Sequence, residues 1–287
     1  MMAAGGISIV ESIVLGIVQG LTEFLPISST AHLRVVPSLI QMVDPSFRDP
    51  GVAYSAVIQL GSVLAVLTYF FKDLLQLAGG TLKAIQAKDF GDQSFRMSAA
   101  IIVGTIPICA IGLAMKALLE ADNSALRSIY VIGSASIVMG ILLLAAEKIA
   151  KHTRDISQVA GRDGFLVGLG QAMALIPGCS RSGSTLTAAL FLGFKRDEAA
   201  RFSFLLGIPA IVISGLVELK DMLKTGMGDA AISSLIVGLG VSTVVSYAAI
   251  WWMLKFLKTH STLVFVIYRI IFGTSIIALV VSGKLPN

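Results

Sequence analysis

Charge is what this chain has least of. Only 14% of its 287 residues are Asp, Glu, Lys or Arg, against roughly 25% in a soluble domain. So few ions cannot clothe a body of this size for water. The mean hydropathy of +0.87 points instead to a lipid-facing surface. Cysteine is almost missing too, with Cys109 and Cys179 alone, so no disulfide framework is implied. These shortages exclude a cytosolic enzyme and a disordered chain. The net charge, 22 − 17 = +5, suits basic loops beside a bilayer more than a grip on phosphate backbones, and no nucleic-acid partner is expected.

Apolar sequence is what the chain has in abundance. Six stretches approach the ~20 residues a helix needs to cross hydrocarbon: 52–71, 99–119, 128–147, 203–219, 231–254 and 262–282. Two further zones, 7–33 and 164–194, are broken by Pro26 and Pro177 and by clusters of Ser, Thr, Arg and Gly. Broken backbone survives at membrane depth only where protein or trapped water satisfies it. The expected fold is therefore all-α and polytopic, with six transmembrane helices and two re-entrant helical hairpins. Residues 73–88 read as a surface-lying amphipathic helix, Trp251 and Trp252 as an interfacial anchor beside Lys255. Glu11 is expected to be exposed at the interface, and Arg269, inside the last span, to pair internally or snorkel.

The two halves resemble each other. Tyr54-Ser55 to Lys72-Asp73 aligns without a gap on Phe202-Ser203 to Lys220-Asp221, since 202 − 54 and 220 − 72 are both 148. Gly16-x-x-Gln19 matches Gly168-x-x-Gln171, and Pro26 with Ser28-Ser29 matches Pro177 with Ser180-Arg181-Ser182. One membrane domain, 1–287, is thus expected to hold two repeats, 1–150 and 151–287. Thirteen Lys and Arg fall on the side that carries 72–97, 148–162, 195–201 and 255–258, and seven on the other. The richer side is expected to be cytoplasmic, with both termini outside. Three spans per repeat, an odd number, make the repeats inverted, a layout that places its working site where the breaks meet.

The first break reads Gln19-Gly-Leu-Thr-Glu23-Phe-Leu-Pro26-Ile-Ser28-Ser29-Thr30-Ala-His32. Gln19 and Glu23, four apart, share a helix face. Pro26 stops that helix, and Ser28, Ser29 and Thr30 are suited to start another. Ionisable groups at this depth are expensive and point to function. The second break reads Pro177-Gly178-Cys179-Ser180-Arg181-Ser182-Gly183-Ser184-Thr185. Glycine-permitted turns ahead of a helix N-terminus make an anion site, and arginine adds a planar fork that matches phosphate oxygens. The order of a Walker loop is absent, so nucleotide binding is not supported. Together the breaks hold a phosphate clamp, a carboxylate, an imidazole and hydroxyls. That set fits hydrolysis of a phosphate ester or anhydride delivered through the lipid, with Glu23 as base and Ser29, His32 or a water as attacker.

Both motifs, and the length and layout around them, resemble the undecaprenyl-diphosphate phosphatase family, the bacitracin-resistance phosphatases. The resemblance runs over essentially the whole chain. It implies removal of the terminal phosphate from undecaprenyl diphosphate in the bacterial inner membrane, recycling the lipid carrier of peptidoglycan synthesis, with the site open to the extracytoplasmic side. On the matching positions it implies catalytic roles for Glu23, Ser29, His32 and Arg181, and substrate contacts from Gln19, Ser28, Thr30, Gly178, Ser180, Ser182 and Thr185. Position 19 is Gln where many members carry Glu, which weakens a two-carboxylate metal site. A divalent cation, Mg²⁺ or Ca²⁺, is a natural companion of a diphosphate, and Glu23 is its best candidate ligand. The layout leaves a homodimer open. The rival reading is a secondary transporter or polyprenyl-phosphate flippase, which needs a clamp but no nucleophile–base pair.

Overall fold

Helix α1 (Ile9–Phe24) starts with a reciprocal cap: Ser8 Oγ accepts the Glu11 amide at 3.2 Å, and the Glu11 carboxylate accepts the Ser8 amide at 2.5 Å. Two donors that a helix start leaves orphaned are thereby satisfied. Glu11 is buried rather than exposed, because its other oxygen accepts the Arg48 amide at 2.7 Å. A capping role, invisible in hydropathy, accounts for the difference.

The computed structural model describes residues 7–49, 51–115, 125–225 and 229–287. The end of the expected second span, 116–119 with Lys116, lies outside the described residues. After α1 come α2 (Ser29–Gln41), α3 (Gly51–Tyr69), α4 (Phe71–Ala87), α5 (Gln93–Ala114) and α6 (Ile129–Ile149). Then follow α7 (Gly161–Ala172), α8 (Arg181–Phe191), α9 (Arg196–Thr225), α10 (Asp229–Leu257) and α11 (Leu263–Val281). Among the described residues no strand forms beyond one isolated bridge, Arg154 to Phe194. Among the described residues five helices are long and apolar enough to cross a membrane: α5, α6, much of α9 and α10, and α11. A sixth crossing requires α3 joined to α4, which bend by 66° at Tyr69–Phe71. The chain is an all-α, multi-pass membrane protein. Beyond the bend α4 leaves Phe71, Leu75, Leu82 and Ile85 largely exposed.

Lipid gives no hydrophobic drive for one helix to leave it for another, so close backbone approach must hold the bundle together. Small residues mark each crossing. Helix α7 lies on α5 with Gly164 over Ala100 and Gly168 over Gly104, so closely that a Cβ on either glycine would strike the partner's backbone. Helix α1 meets α10 in the same manner, Gly16 beside Gly238 and Val241, Gly20 beside Ser242 and Val245. Gly133 of α6 and Gly273 of α11 bring those two helices together. At the end that holds residues 147–163 and 195–201, Arg196 pairs with Glu147, Lys195 with Asp155, and Arg154 with Asp163.

Two short breaks separate α1 from α2 and α7 from α8. Each ends on a serine with positive φ, Ser28 at 77° and Ser180 at 68°, a region that L residues rarely occupy. Each of these serines caps the helix it opens: Ser28 Oγ accepts the Ala31 amide and Ser180 Oγ the Gly183 amide. Gly178, at φ 97°, runs against the carbonyl of Ile132, where a side chain would collide. Arg269 of α11 ties the breaks together. Fully buried, it donates to Pro26 O at 2.7 Å, Gly178 O at 2.7 Å, Cys179 O at 3.1 Å and Ser136 O at 3.1 Å.

Arg269→Met strands those carbonyls in the interior. The expected loss is about 2–5 kcal/mol of stability, read as a lowered thermal unfolding midpoint in detergent. Gly168→Val drives a side chain into the Gly104 backbone and is expected to cost about 2–3 kcal/mol. Gly240→Ala, where a Cβ meets open space, should leave the midpoint unchanged or slightly raised in the same assay.

Candidate functional site

Glu23 ends the last turn of α1, 5% exposed, and both of its oxygens are fully engaged. Oε1 accepts Arg181 Nη2 at 2.8 Å and Gln59 Nε2 at 3.1 Å. Oε2 accepts Ser29 Oγ at 2.7 Å and Gln19 Nε2 at 2.8 Å. The helical step of four places Gln19 beneath the carboxylate, and the turn through Pro26 returns the chain so that Ser29, first residue of α2, faces it from above. The second break delivers Arg181 from the far side. The two breaks, far apart in sequence, therefore share one ion pair.

A cavity of about 460 Å³ opens over this group. Gln19, Ser29, Thr30 and Gln59 line it, with Leu175 and Pro177 contributed by the second break. Arg34, Asp49 and Arg127 also face it. Glu23 thus lies just under the floor, reached through the three side chains that donate to it from the cavity wall.

The remaining expected site residues are placed differently. Arg181 commits Nη1 to Gly207 O at 2.8 Å and Nη2 to Glu23, so it braces the carboxylate from behind and does not line the cavity. Ser182 Oγ donates to the carbonyls of Glu23 and Leu25 at 3.1 and 3.0 Å. Thr185 donates to Arg181 O and forms a very short hydrogen bond with Ser203. Ser180 and Ser28 are spent as helix caps, and Gly178 presents its carbonyl to Arg269. Most of the second motif builds the wall that holds Glu23 and the first break in place.

His32 is not brought to Glu23 or Ser29. Its Nδ1 lies 2.7 Å from Ser28 O, which can only accept, so Nδ1 carries the proton and Nε2 accepts Tyr268 Oη–H at 2.6 Å. The ring stacks on Phe272 with centroids 4.3 Å apart. The imidazole therefore anchors the positive-φ turn to α11.

Three participants escaped sequence reasoning. Gln59, a polar residue in an otherwise apolar span, was the available signal for the fourth ligand of Glu23. Ser62 continues the group inward, accepting Gln19 Nε2 at 3.3 Å and meeting Ser246 at 2.8 Å. Tyr268 gave no signal, since tyrosine near a span end ordinarily reads as an interfacial residue.

The geometry tests the expected cation as well. Among the described residues no group of three His, Cys, Asp or Glu converges. Glu23 stands as a single carboxylate already accepting four donors, so the residues present do not form a cation site of their own. What the arrangement can do chemically is take a proton: a hydroxyl donates directly to a carboxylate at the bottom of a water-accessible cavity.

Residues 12–275 match the family described as "Bacitracin resistance protein BacA". A protein of Gloeobacter violaceus named undecaprenyl-diphosphatase is 56% identical over 281 residues, covering 98% of this chain and 95% of that one. A protein of the same name from Synechococcus elongatus is 54% identical, covering 96% and 95%. A third, from Synechocystis, is 51% identical, covering 96% and 84%. With a hydroxyl, a carboxylate and an arginine joined across two broken helices, and with likeness running nearly end to end, the chain belongs to the bacitracin resistance protein BacA family.

Proposed function

We propose that this chain is an undecaprenyl-diphosphate phosphatase, releasing inorganic phosphate and leaving the lipid monophosphate in the membrane. The observation that carries the reading is the 2.7 Å hydrogen bond from Ser29 Oγ to Glu23 Oε2 beneath an open cavity. Ser29 Oγ attacks the terminal phosphorus as Glu23 takes its proton, and the bond from that phosphorus to the bridging oxygen breaks. Glu23 passes that proton to the bridging oxygen as the lipid leaves as its monophosphate. Glu23 then takes a proton from a water whose oxygen bonds the phosphorus, the Ser29 Oγ–P bond breaks, and the proton returns to Oγ as inorganic phosphate departs. Arg181 holds Glu23 aimed and supplies its countercharge, while the start of α2 and its helix dipole favour the phosphoryl charge. Gln19 and Gln59 hold the carboxylate in the rotamer that meets Ser29. His32 fixes the turn that presents the serine and takes no part as attacker. A carrier would need an anion clamp but would have no use for a hydroxyl donating to a buried base.

The mouth of the cavity lies with Arg34 and Arg127, on the side poorer in basic residues. The reading therefore places mouth and termini outside the cytoplasmic (inner) membrane, where a lipid carrier discharged of its sugar cargo arrives. Single cysteines introduced between 72 and 97 are expected to react with an impermeant maleimide only after the cells are opened. Labelling in intact cells would reverse the orientation.

Phosphate release from a polyprenyl diphosphate by the purified protein in detergent tests the chemistry. Glu23→Gln should lower turnover by about 10²–10⁴-fold and also lower the thermal midpoint, because it leaves Arg181 buried without its countercharge. Ser29→Ala should lower turnover as far with an unchanged midpoint. His32→Ala should instead lose stability and activity together, as removal of an anchor does. Near-normal turnover by Ser29→Ala would eliminate the serine as attacker, and no phosphate release by the unaltered protein would eliminate the phosphatase reading.

A further inference from the structure

The cavity does not end at the reacting hydroxyl. Its outer wall carries two cations, Arg34 and Arg127, and one anion, Asp49. Thr30, Leu33 and Arg34 all line it, the three- and four-residue spacing of a single helix face. Side chains on a helix lean toward its N-terminus and cover the preceding turn. Arg34 therefore belongs over the turn of α2 that begins with Ser29.

Its guanidinium is drawn aside in this structure. Nη1 donates to Asp49 Oδ2 at 3.2 Å. Asp49 in turn is fixed, because its Oδ1 accepts the Gly51 amide at the start of α3 at 2.9 Å. The two side chains of the pair are 45% and 41% exposed, and ion pairs that open to water are weak and readily exchanged. Phosphate oxygens, which arginine can bind bidentately, are stronger competitors than one carboxylate oxygen at 3.2 Å.

We infer that Arg34 binds the second phosphoryl group of the diphosphate, the one that stays on the lipid, exchanging its contact with Asp49 for phosphate oxygens. The inference rests on the phosphatase reading of Ser29 and Glu23. A diphosphate with its terminal phosphorus at Ser29 extends its other phosphoryl group toward the mouth, where Arg34 waits one turn further along α2. A monophosphate seated at Ser29 does not reach that far and leaves Arg34 with Asp49. The exchange thus makes the site selective for diphosphates, a discrimination that Ser29 and Glu23, which meet only one phosphorus, do not provide.

Kinetics on a short-chain polyprenyl diphosphate and calorimetry with inorganic pyrophosphate and orthophosphate test this together. Arg34→Gln is expected to raise KM about tenfold or more, with the loss falling on KM rather than kcat, and Arg34→Lys to recover part of it. Asp49→Asn should lower KM, since it frees the arginine and removes a repelling charge. In calorimetry Arg34→Gln should weaken pyrophosphate by the same factor as KM and leave orthophosphate as it was. Unchanged KM and unchanged pyrophosphate affinity in Arg34→Gln, or equal weakening of both anions, would overturn the subsite. A protein that releases no phosphate yet prefers pyrophosphate through Arg34 would sink the phosphatase reading alone.

Discussion

One guanidinium with no carboxylate partner among the described residues holds the breaks of this protein in register. Arg269 satisfies its charge entirely with main-chain carbonyls, from Pro26 on one break and Gly178 and Cys179 on the other, with Ser136 on α6 as the fourth. Bringing an isolated cation into such an interior is costly, and leaving carbonyls of an interrupted helix unpaired there is costly too. Each problem is the solution of the other. The breaks can exist at that depth because the arginine needs acceptors, and the arginine can be buried because the breaks supply them. Everything the site does follows from the distance this exchange fixes between the tips.

The ion pair of Glu23 and Arg181 is the second consequence. Once the tips are locked, Arg181 at the head of α8 stands 2.8 Å from the carboxylate that ends α1. The carboxylate then has four donors, and its charge is held by geometry rather than by water. A carboxylate so constrained cannot swing toward a competing partner, and among the described residues Ser29 is the one hydroxyl that donates to it. Gln at position 19 supplies a donor to the carboxylate where a second carboxylate would supply repulsion.

Much of this was legible in the sequence because hydropathy makes polar residues in apolar runs conspicuous. Gln19, Glu23, Ser29 and Arg181 stand out for that reason, and the structure joins all four. What stayed hidden is direction. Nothing in the spacing of Ser28 to His32 tells that the imidazole turns away to Tyr268, since that depends on which neighbour α2 packs against. The use of Ser180, Ser182 and Thr185 as internal props was equally hidden, because a hydroxyl that caps a helix and one that binds phosphate look alike in a string of letters. Arg269 was legible as an internally paired residue, but its partners are carbonyls, and carbonyls have no letter. The bend between α3 and α4 falls in a continuous apolar run, Tyr69-Phe70-Phe71, with no proline or glycine to announce it.

The two breaks also show how one local geometry can serve two purposes. Stepping by 152, Gln19 corresponds to Gln171, Glu23 to Leu175 and Ser29 to Arg181, and the positive-φ serines 28 and 180 coincide. In the proposed duplication, then, the second half keeps the turn and the glutamine but has leucine where the first has its carboxylate. Leu175 lines the cavity, and Gln171, with no carboxylate four residues on, turns its Nε2 to Gly104 O at 3.5 Å instead. Two glutamates facing each other at this depth would repel, and one would be forced to take up a proton. An arginine in place of the second serine removes that conflict and adds the countercharge. In the proposed reading, the asymmetry of the site follows from placing a charged base in a bilayer: one half carries the proposed reacting pair, and the other supplies the countercharge.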